Sequence, residues 1–301
     1  MGPKKFGLND ARGSFSFLGN WGRTSVLFST MLRTICLNNK PKVTNIYHCT
    51  VHKTASQWIH KILSDRKIYQ YSGLKPYHYQ SCLPEKVDMR KLLERSFDTP
   101  FPERTIVSPI YIAFDNYNNI PKPKTYRSFF VTRDPRDIVV SNYFSRKYSH
   151  SLNPRIEPLR QQLRACSGVK EGLLVMINWL EEDGTFQALR SWNKAERKDE
   201  GVMLVSYEAL VGHDSDKVFE DLFSHLQIDI PKDVLSELLK DYNFNSLSEG
   251  RKTGEEDIHS HYRKGISGDW KNYFDQQVTN EFKRITGDLV YILGYERNVR
   301  W

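Results

Sequence analysis

The chain has 301 residues, 39% apolar and 13% aromatic, enough for a sizeable core in one large domain or two modest ones. Its 44 Lys/Arg against 36 Asp/Glu leave a net charge of +8, which suits an anionic ligand or surface. Six of those cations and a single Asp fall within residues 1–40, and the remainder is only mildly basic, which argues against a dedicated nucleic-acid protein.

Cys36, Cys49, Cys82 and Cys166 are far apart and share no metal-ligand spacing, so the sequence predicts isolated, reduced thiols and no zinc site. No apolar run reaches the ~18 residues of a spanning helix. Ser25 to Leu37 is interrupted by Arg33 and starts too late for an ordinary signal peptide. Met1-Gly2 is followed by Pro3 and lacks the hydroxyl residue of a myristoylation signal. These features predict a soluble, cytoplasmic protein without a membrane partner.

In chain order, residues 1–40 read as a partly ordered basic arm with one helix from Thr24 to Leu37. Val43 to Val51 is apolar and β-branched and predicts the first strand. Thr50-Val-His-Lys-Thr-Ala-Ser-Gln-Trp58 follows it and leads into Ile59-His-Lys-Ile-Leu63, whose spacing suits a helix. A strand, a turn of small hydroxylated residues and a helix make an anion cradle, because the first amides of a helix have no internal partner. Lys53 adds a positive charge there, and Thr54 and Ser56 add donors. The Walker pattern is absent, which disfavours a nucleoside-triphosphate hydrolase or a kinase.

A short helix is predicted at Asp88–Arg95 and strands at Thr105–Pro109 and Arg127–Thr132, separated by a turn-rich stretch from Asn116 to Lys124. A helix opens at Asp134-Pro135, where aspartate caps and proline needs no N–H partner. Residues 149–168 read as a polar loop, and Lys170 to Trp192 as one long helix. Asn193 to Gly201 is a charged turn, and Val202–Ser206 is the fourth strand. Val218–Leu226, Lys232–Leu239 and Gln276–Leu293 read as amphipathic helices. Strands alternating with helices predict an α/β fold: one domain over residues 41–301, with a central parallel sheet flanked by helices and a P-loop-like turn. Ligands of such sheets bind beyond the carboxyl ends of the strands.

Two later stretches bear on the cradle. Arg133 ends the third strand and Ser141 lies one to two turns into the next helix, so a guanidinium fork and a hydroxyl can address one anion. Tyr262-Arg-Lys-Gly-Ile-Ser-Gly-Asp-Trp-Lys-Asn-Tyr-Phe274 places Arg263 and Lys264 beside Gly265, where backbone can approach a ligand closely. The segment before it, Asn245 to His261, is long, polar and glycine-bearing, and its length fits a lid.

Arg263-Lys-Gly-x-x-Gly-Asp-Trp-Lys-Asn-x-Phe274 resembles the signature of the cytosolic sulfotransferases. Thr50-x-x-Lys-x-x-x-x-Trp58 is similar to their 5′-phosphosulfate loop, and Phe130-Val-Thr-Arg-Asp-Pro-Arg-Asp-Ile-Val-Val-Ser141 to their 3′-phosphate motif. The three occur in the family's order and span most of the chain. The resemblance implies the sulfotransferase fold and transfer of a sulfuryl group from 3′-phosphoadenosine 5′-phosphosulfate (PAPS) to a hydroxyl or amine. Adenosine 3′,5′-bisphosphate (PAP) is left, and no metal takes part. It implies that Lys53, Thr54, Ala55, Ser56 and Gln57 wrap the phosphosulfate, with Lys53 meeting the charge on the bridging oxygen. Trp58, Tyr207 and Phe244 are then adenine contacts. Arg133, Ser141, Arg263, Lys264 and the Gly265 amide hold the 3′-phosphate.

The chain departs from the family in three places. The usual base is a histidine after the second strand, where this sequence has Ile106-Val-Ser-Pro-Ile-Tyr111. His52, with an ordinary pKa of ~6.5, is the substitute favoured here, and Tyr111 and Asp115 are lesser candidates. Ala55 stands where the family often has glycine. Asp275-Gln276 replaces the Thr-Val of the dimer motif, so the oligomeric state is left open. The acceptor pocket is expected from residues 64–120, 146–168 and 245–262. Tyr69, Tyr71, Tyr77, His78 and Tyr79 suggest a partly aromatic wall for a small ring-bearing molecule. The alternatives are a carbohydrate sulfotransferase of the same fold and a non-catalytic nucleotide-binding module that has lost its base.

Overall fold

A computed structural model describes residues 40–301. Apart from Lys40, the arm expected over residues 1–40, its helix and Cys36 lie outside the described residues. Five parallel strands form the centre: β1 (Asn45–Thr50), β2 (Lys75–Tyr77), β3 (Thr105–Tyr111), β4 (Tyr126–Thr132) and β5 (Val202–Ser206), in the order β2-β3-β1-β4-β5. β1 pairs with β3 on one side and β4 on the other, so the winding reverses beside β1. That reversal opens a crevice at the carboxyl ends of β1 and β4, where Lys53 and Arg133 leave the sheet.

Every residue of β1 is buried, as a strand covered on both faces requires. Tyr47 and Cys49 point to one face and Ile46 to the other, following the period of two. On the first face lie α2 (Pro135–Phe144), α3 (Val169–Asp183) and α4 (Thr185–Trp192), with Phe130 stacked on Trp192 at 4.4 Å. On the second, α1 (Ser56–Leu63), α5 (Ser215–His225) and α6 (Lys232–Asp241) pack Ile59, Ile62, Phe219 and Phe223 against Phe129 and Val131. α7 (Gln276–Thr286) closes the first layer through Val278 and Phe282.

Several elements differ from expectation. β2 was not anticipated: it is a three-residue, largely exposed edge containing Pro76. The long helix from Lys170 breaks at Gly184, whose φ of +83° ends α3 and begins α4. The closing helix likewise stops at Gly287 before a short turn at Leu289–Ile292. Residues 149–168 contain a helix, Glu157–Ala165, where a loop was expected. The helix expected at Asp88–Arg95 is only a 3₁₀ turn at Leu92–Glu94, because Asp88 binds the Arg90 backbone and guanidinium instead. A short helix, Phe114–Asn118, runs into the start of the turn-rich stretch expected from Asn116 to Lys124.

Cys49, Cys82 and Cys166 are free thiols. Among the described residues, no helix is long and apolar enough to cross a membrane, and no His/Cys/Asp/Glu group is arranged to hold a metal.

Candidate active site

The turn between β1 and α1 carries two residues in the left-handed region, Lys53 (φ 70°) and Ala55 (φ 65°). Alternating handedness turns successive amides inward as a nest, and no side chain caps α1 and no acid sits in its first turn. The helix amides are therefore left for an anion. Thr54 braces the turn from behind: it is fully buried and its hydroxyl bonds the Val51 carbonyl at 2.9 Å and the Thr50 hydroxyl. Ser56 Oγ meets the Tyr111 hydroxyl at 2.9 Å, and Gln57 Nε2 donates to it at 3.3 Å. Trp58 Nε1 donates to the Tyr242 carbonyl at 2.7 Å, which fixes the indole beside α5.

Arg133, at the end of β4, holds the other two stretches together. Its guanidinium donates to the carbonyls of Lys53 and Ile266, both at 3.2 Å, and lies 4.2 Å over the Tyr207 ring. Its Nε is buried without a hydrogen-bond partner among the described residues. One turn on, Asp137 accepts from the amides of Gly268 (2.7 Å) and Trp270 (2.9 Å), which fastens the third stretch to α2. The acidic and basic residues of the Arg133–Asp137 turn are buried rather than solvated. Arg136 is bound by Asp134 and Glu296 and lies between Trp270 (3.7 Å) and Trp301 (4.4 Å).

In the third stretch, Arg263 and Lys264 converge on one buried carboxylate, Asp269. Burial pulls the Asp269 carboxyl up, but Lys264, Arg263 and Asn272 outweigh it and hold it below the usual aspartate value. Arg263 also pairs with Glu256 and lies 4.4 Å over Phe144. Gly265 has φ +68°, and a Cβ there would fall 2.3 Å from the Phe244 ring, so only glycine admits this packing. Arg251 stitches the preceding loop by donating to the carbonyls of Glu255, Tyr262 and Arg263.

These pieces enclose a cavity of about 610 Å³, within the usual range for a small-molecule site. His52, Lys53, Ala55, Ser56, Gln57, Trp58, Arg133, Ser141, Tyr207, Phe244, Arg263, Lys264 and Gly265 all line it, as does Tyr111. Thr54 faces the interior instead. Asp115 is exposed on its short helix and does not line the cavity, and neither do Tyr69, Tyr71, Tyr77, His78 or Tyr79. Tyr79 is buried against Phe97, and Tyr69 is exposed. Further lining comes from Phe144, Ser145, Arg146 and Ser149 to Ser151, and from Ile258 and Ser260 to Tyr262.

Among the described residues no Asp or Glu lines the cavity, so its cations raise one another's cost. Burial, then Arg146, Arg133 and Arg263, bring the Lys53 ammonium down to about 7. Burial and the same kind of neighbours, Arg95 and Arg146 first, push the His52 imidazolium well below its ordinary value, so the ring is neutral at pH 7. His52 stacks on Tyr111 with centroids 4.1 Å apart.

Arg146, Asp137 and Arg251 were not singled out from sequence. Asp137 stood within the motif, but its bonds to backbone 131 and 133 residues away have no local signal. Arg146 follows α2 in a wide turn, Ser145–Ser149, that no periodicity marks.

A family model described as the sulfotransferase domain matches residues 44–294. The chain belongs to the sulfotransferase family. Among curated relatives, Sulfotransferase 2A1 of Homo sapiens is 25% identical over 176 residues, 54% of this chain. The match spans only 58% of that relative, little more than half its length. Sulfotransferase 1 family member D1 of Mus musculus is 26% identical over 213 residues, 61% of this chain and 67% of the relative. Among solved structures, the mouse sulfotransferase SULT7A1 complexed with PAP has TM-score 0.58 at 18% identity, over 90% of this chain and 92% of that one. Retinol dehydratase in complex with androsterone and inactive cofactor PAP has TM-score 0.52 at 15% identity, over 87% and 85%. Those likenesses show the sulfotransferase fold.

Proposed function

We propose that this sulfotransferase moves a sulfuryl group from PAPS to a hydroxyl or amine of a small-molecule acceptor and releases PAP. The observation that carries the reading is convergence: stretches around residues 53, 133 and 264 line a single cationic cavity. The buried, unpartnered Arg133 Nε and the uncapped amides of α1 fit a polyanionic nucleotide. Two PAP complexes among the structural neighbours point the same way. A cytoplasmic location belongs to the same reading, by likeness to the cytosolic members.

In this reading the Lys53 turn takes the phosphosulfate, and Arg133, Ser141, Arg263, Lys264 and Gly265 take the 3′-phosphate. Trp58, Tyr207 and Phe244 frame the adenine. The acceptor oxygen or nitrogen bonds to sulfur as the sulfur–oxygen bond to the nucleotide breaks. The leaving nucleotide oxygen keeps the electron pair, with Lys53 beside it, and the acceptor proton goes to His52. Such a loose in-line transfer needs position and charge stabilisation more than covalent help.

A thermal-shift comparison of PAP, ATP and heparin tests the first half: PAP alone should raise the melting temperature strongly. Labelled PAPS with an acceptor panel tests the second. No stabilisation by PAP, or no label transferred to any acceptor, would remove the reading.

A further inference from the structure

The nucleotide residues leave two cations of the cavity wall unused: Lys61, which is exposed and lies 5.2 Å over the Tyr262 ring, and Arg146, which is buried. Arg146 is 3% exposed, lines the cavity, and its Nε has no hydrogen-bond partner among the described residues. No carboxylate among the described residues lies within ion-pair distance of it. Its arginine neighbours are each provided for: Arg95 has Asp88, Arg155 has Asp183, and Arg160 donates to the carbonyls of Arg146 and His150. Asp88 is itself already shared with Arg90. Positive charge therefore exceeds negative charge in this corner, next to His52 and Tyr111.

An unpaired buried guanidinium is costly, and arginine does not readily escape by losing its proton. Burial and the nearby Arg155 and Arg95 bring Arg146 down only to about 9, so it stays charged at neutral pH. A chain that keeps such a group at a cavity wall has a site suited to an anion arriving from outside. The donor's phosphates already have the Lys53 turn, Arg133, Arg263 and Lys264.

We propose that the acceptor is a small acid, carrying a carboxylate or similar oxyanion besides the hydroxyl or amine that is sulfated, and that Arg146 receives that oxyanion. This deepens the sulfotransferase reading and rests on it. A planar guanidinium fork matches a carboxylate with two parallel hydrogen bonds. Held there, the acceptor lies along the His52–Tyr111 wall, which places the candidate base close to it.

The test compares hydroxylated aromatic acids with their amides, 4-hydroxyphenylacetate against 4-hydroxyphenylacetamide first. In PAP-saturated protein the acids should bind more tightly than their amides by about tenfold or more, the usual strength of a charge-assisted hydrogen bond. With labelled PAPS, kcat/KM should show the same preference, and Arg146→Gln should draw the acid-to-amide ratio toward one. Arg146→Lys, which keeps the charge without the fork, should restore part of it. Arg146→Met should raise the melting temperature of the free protein, because an uncompensated buried charge is gone. If PAP stabilises the protein but no acid outperforms its amide, the acceptor proposal falls and the sulfotransferase reading stands. An unchanged ratio in Arg146→Gln also overturns it, since the cation would then serve the transferred group rather than the acceptor. If PAP fails to bind the wild-type chain, the parent reading fails first.

Discussion

Lys53 is a cation held where its charge is hard to keep. In the free protein its ammonium has dropped to about 7, through burial first and then the surrounding arginines. A bound polyanion supplies the missing counter-charge and offsets the arginines, which raises the ammonium back toward an ordinary lysine value although it stays buried. At pH 8 the free protein is therefore mostly neutral at this position, and nucleotide binding should take up close to one proton. Below pH 6 the lysine is already charged, so its share of the uptake should vanish. Titration calorimetry in two buffers of different ionisation enthalpy measures this directly, and Lys53→Met should abolish the uptake. For turnover, Lys53→Ala should keep the fold but lose about a hundredfold or more, the ~3–4 kcal/mol of a preorganised donor. Steady-state assays beside an unchanged melting curve check it.

The turn and the loops show the same economy at the scale of elements. Ala55 occupies a left-handed conformation that costs a non-glycine residue roughly 1–2 kcal/mol. Ala55→Gly relieves that strain but loosens the unfolded chain, so a net gain of about 0.5–1 kcal/mol is expected in chemical denaturation. Gly265→Ala runs the other way. Its new methyl meets the Phe244 ring and its φ is unfavourable, so stability should fall by about 1–2 kcal/mol and PAP affinity with it. Melting curves of the two variants should move in opposite directions, and a PAP titration of Gly265→Ala should show the weaker binding.

Legibility followed the same division. The four long strands and the motif-bearing turns could be read because burial on both faces gives runs such as Asn45–Thr50 and Phe129–Val131, whose apolar content is local. β2 could not, because three residues, two of them exposed and one a proline, carry no pattern and take their strand from β3 alone. The Gly184 break was hidden because leucine periodicity continues on both sides of it. The cavity-facing residues of the three motifs could be read as a set. Arg146 could not, because what distinguishes it is the lack of a counter-charge in space. Thr54 and Asp115 were legible as polar residues, but which way each one faces depends on the packing around it.

Across the whole molecule, one carboxylate in the third stretch holds two of the site's cations before any ligand arrives. Asp269 holds Lys264 at 2.8 Å and accepts from Arg263 and Asn272 while almost wholly buried. Asp269→Asn leaves Lys264 without a carboxylate and Arg263 with Glu256 alone, so the free protein should lose about 1–3 kcal/mol in denaturant titration. The rise in melting temperature on adding PAP should become larger, since the nucleotide then replaces what was removed.

A placeholder of this kind has a consequence for life in a crowded ionic medium. Free orthophosphate and sulfate offer only a single tetrahedral group, and each must compete with a carboxylate already in position and tethered by the chain. A nucleotide with two separated anionic ends engages the Lys53 turn at the same moment, which a stray ion cannot do. The pocket should therefore remain available in millimolar inorganic phosphate, and this resistance should be lost when the tethered rival is removed.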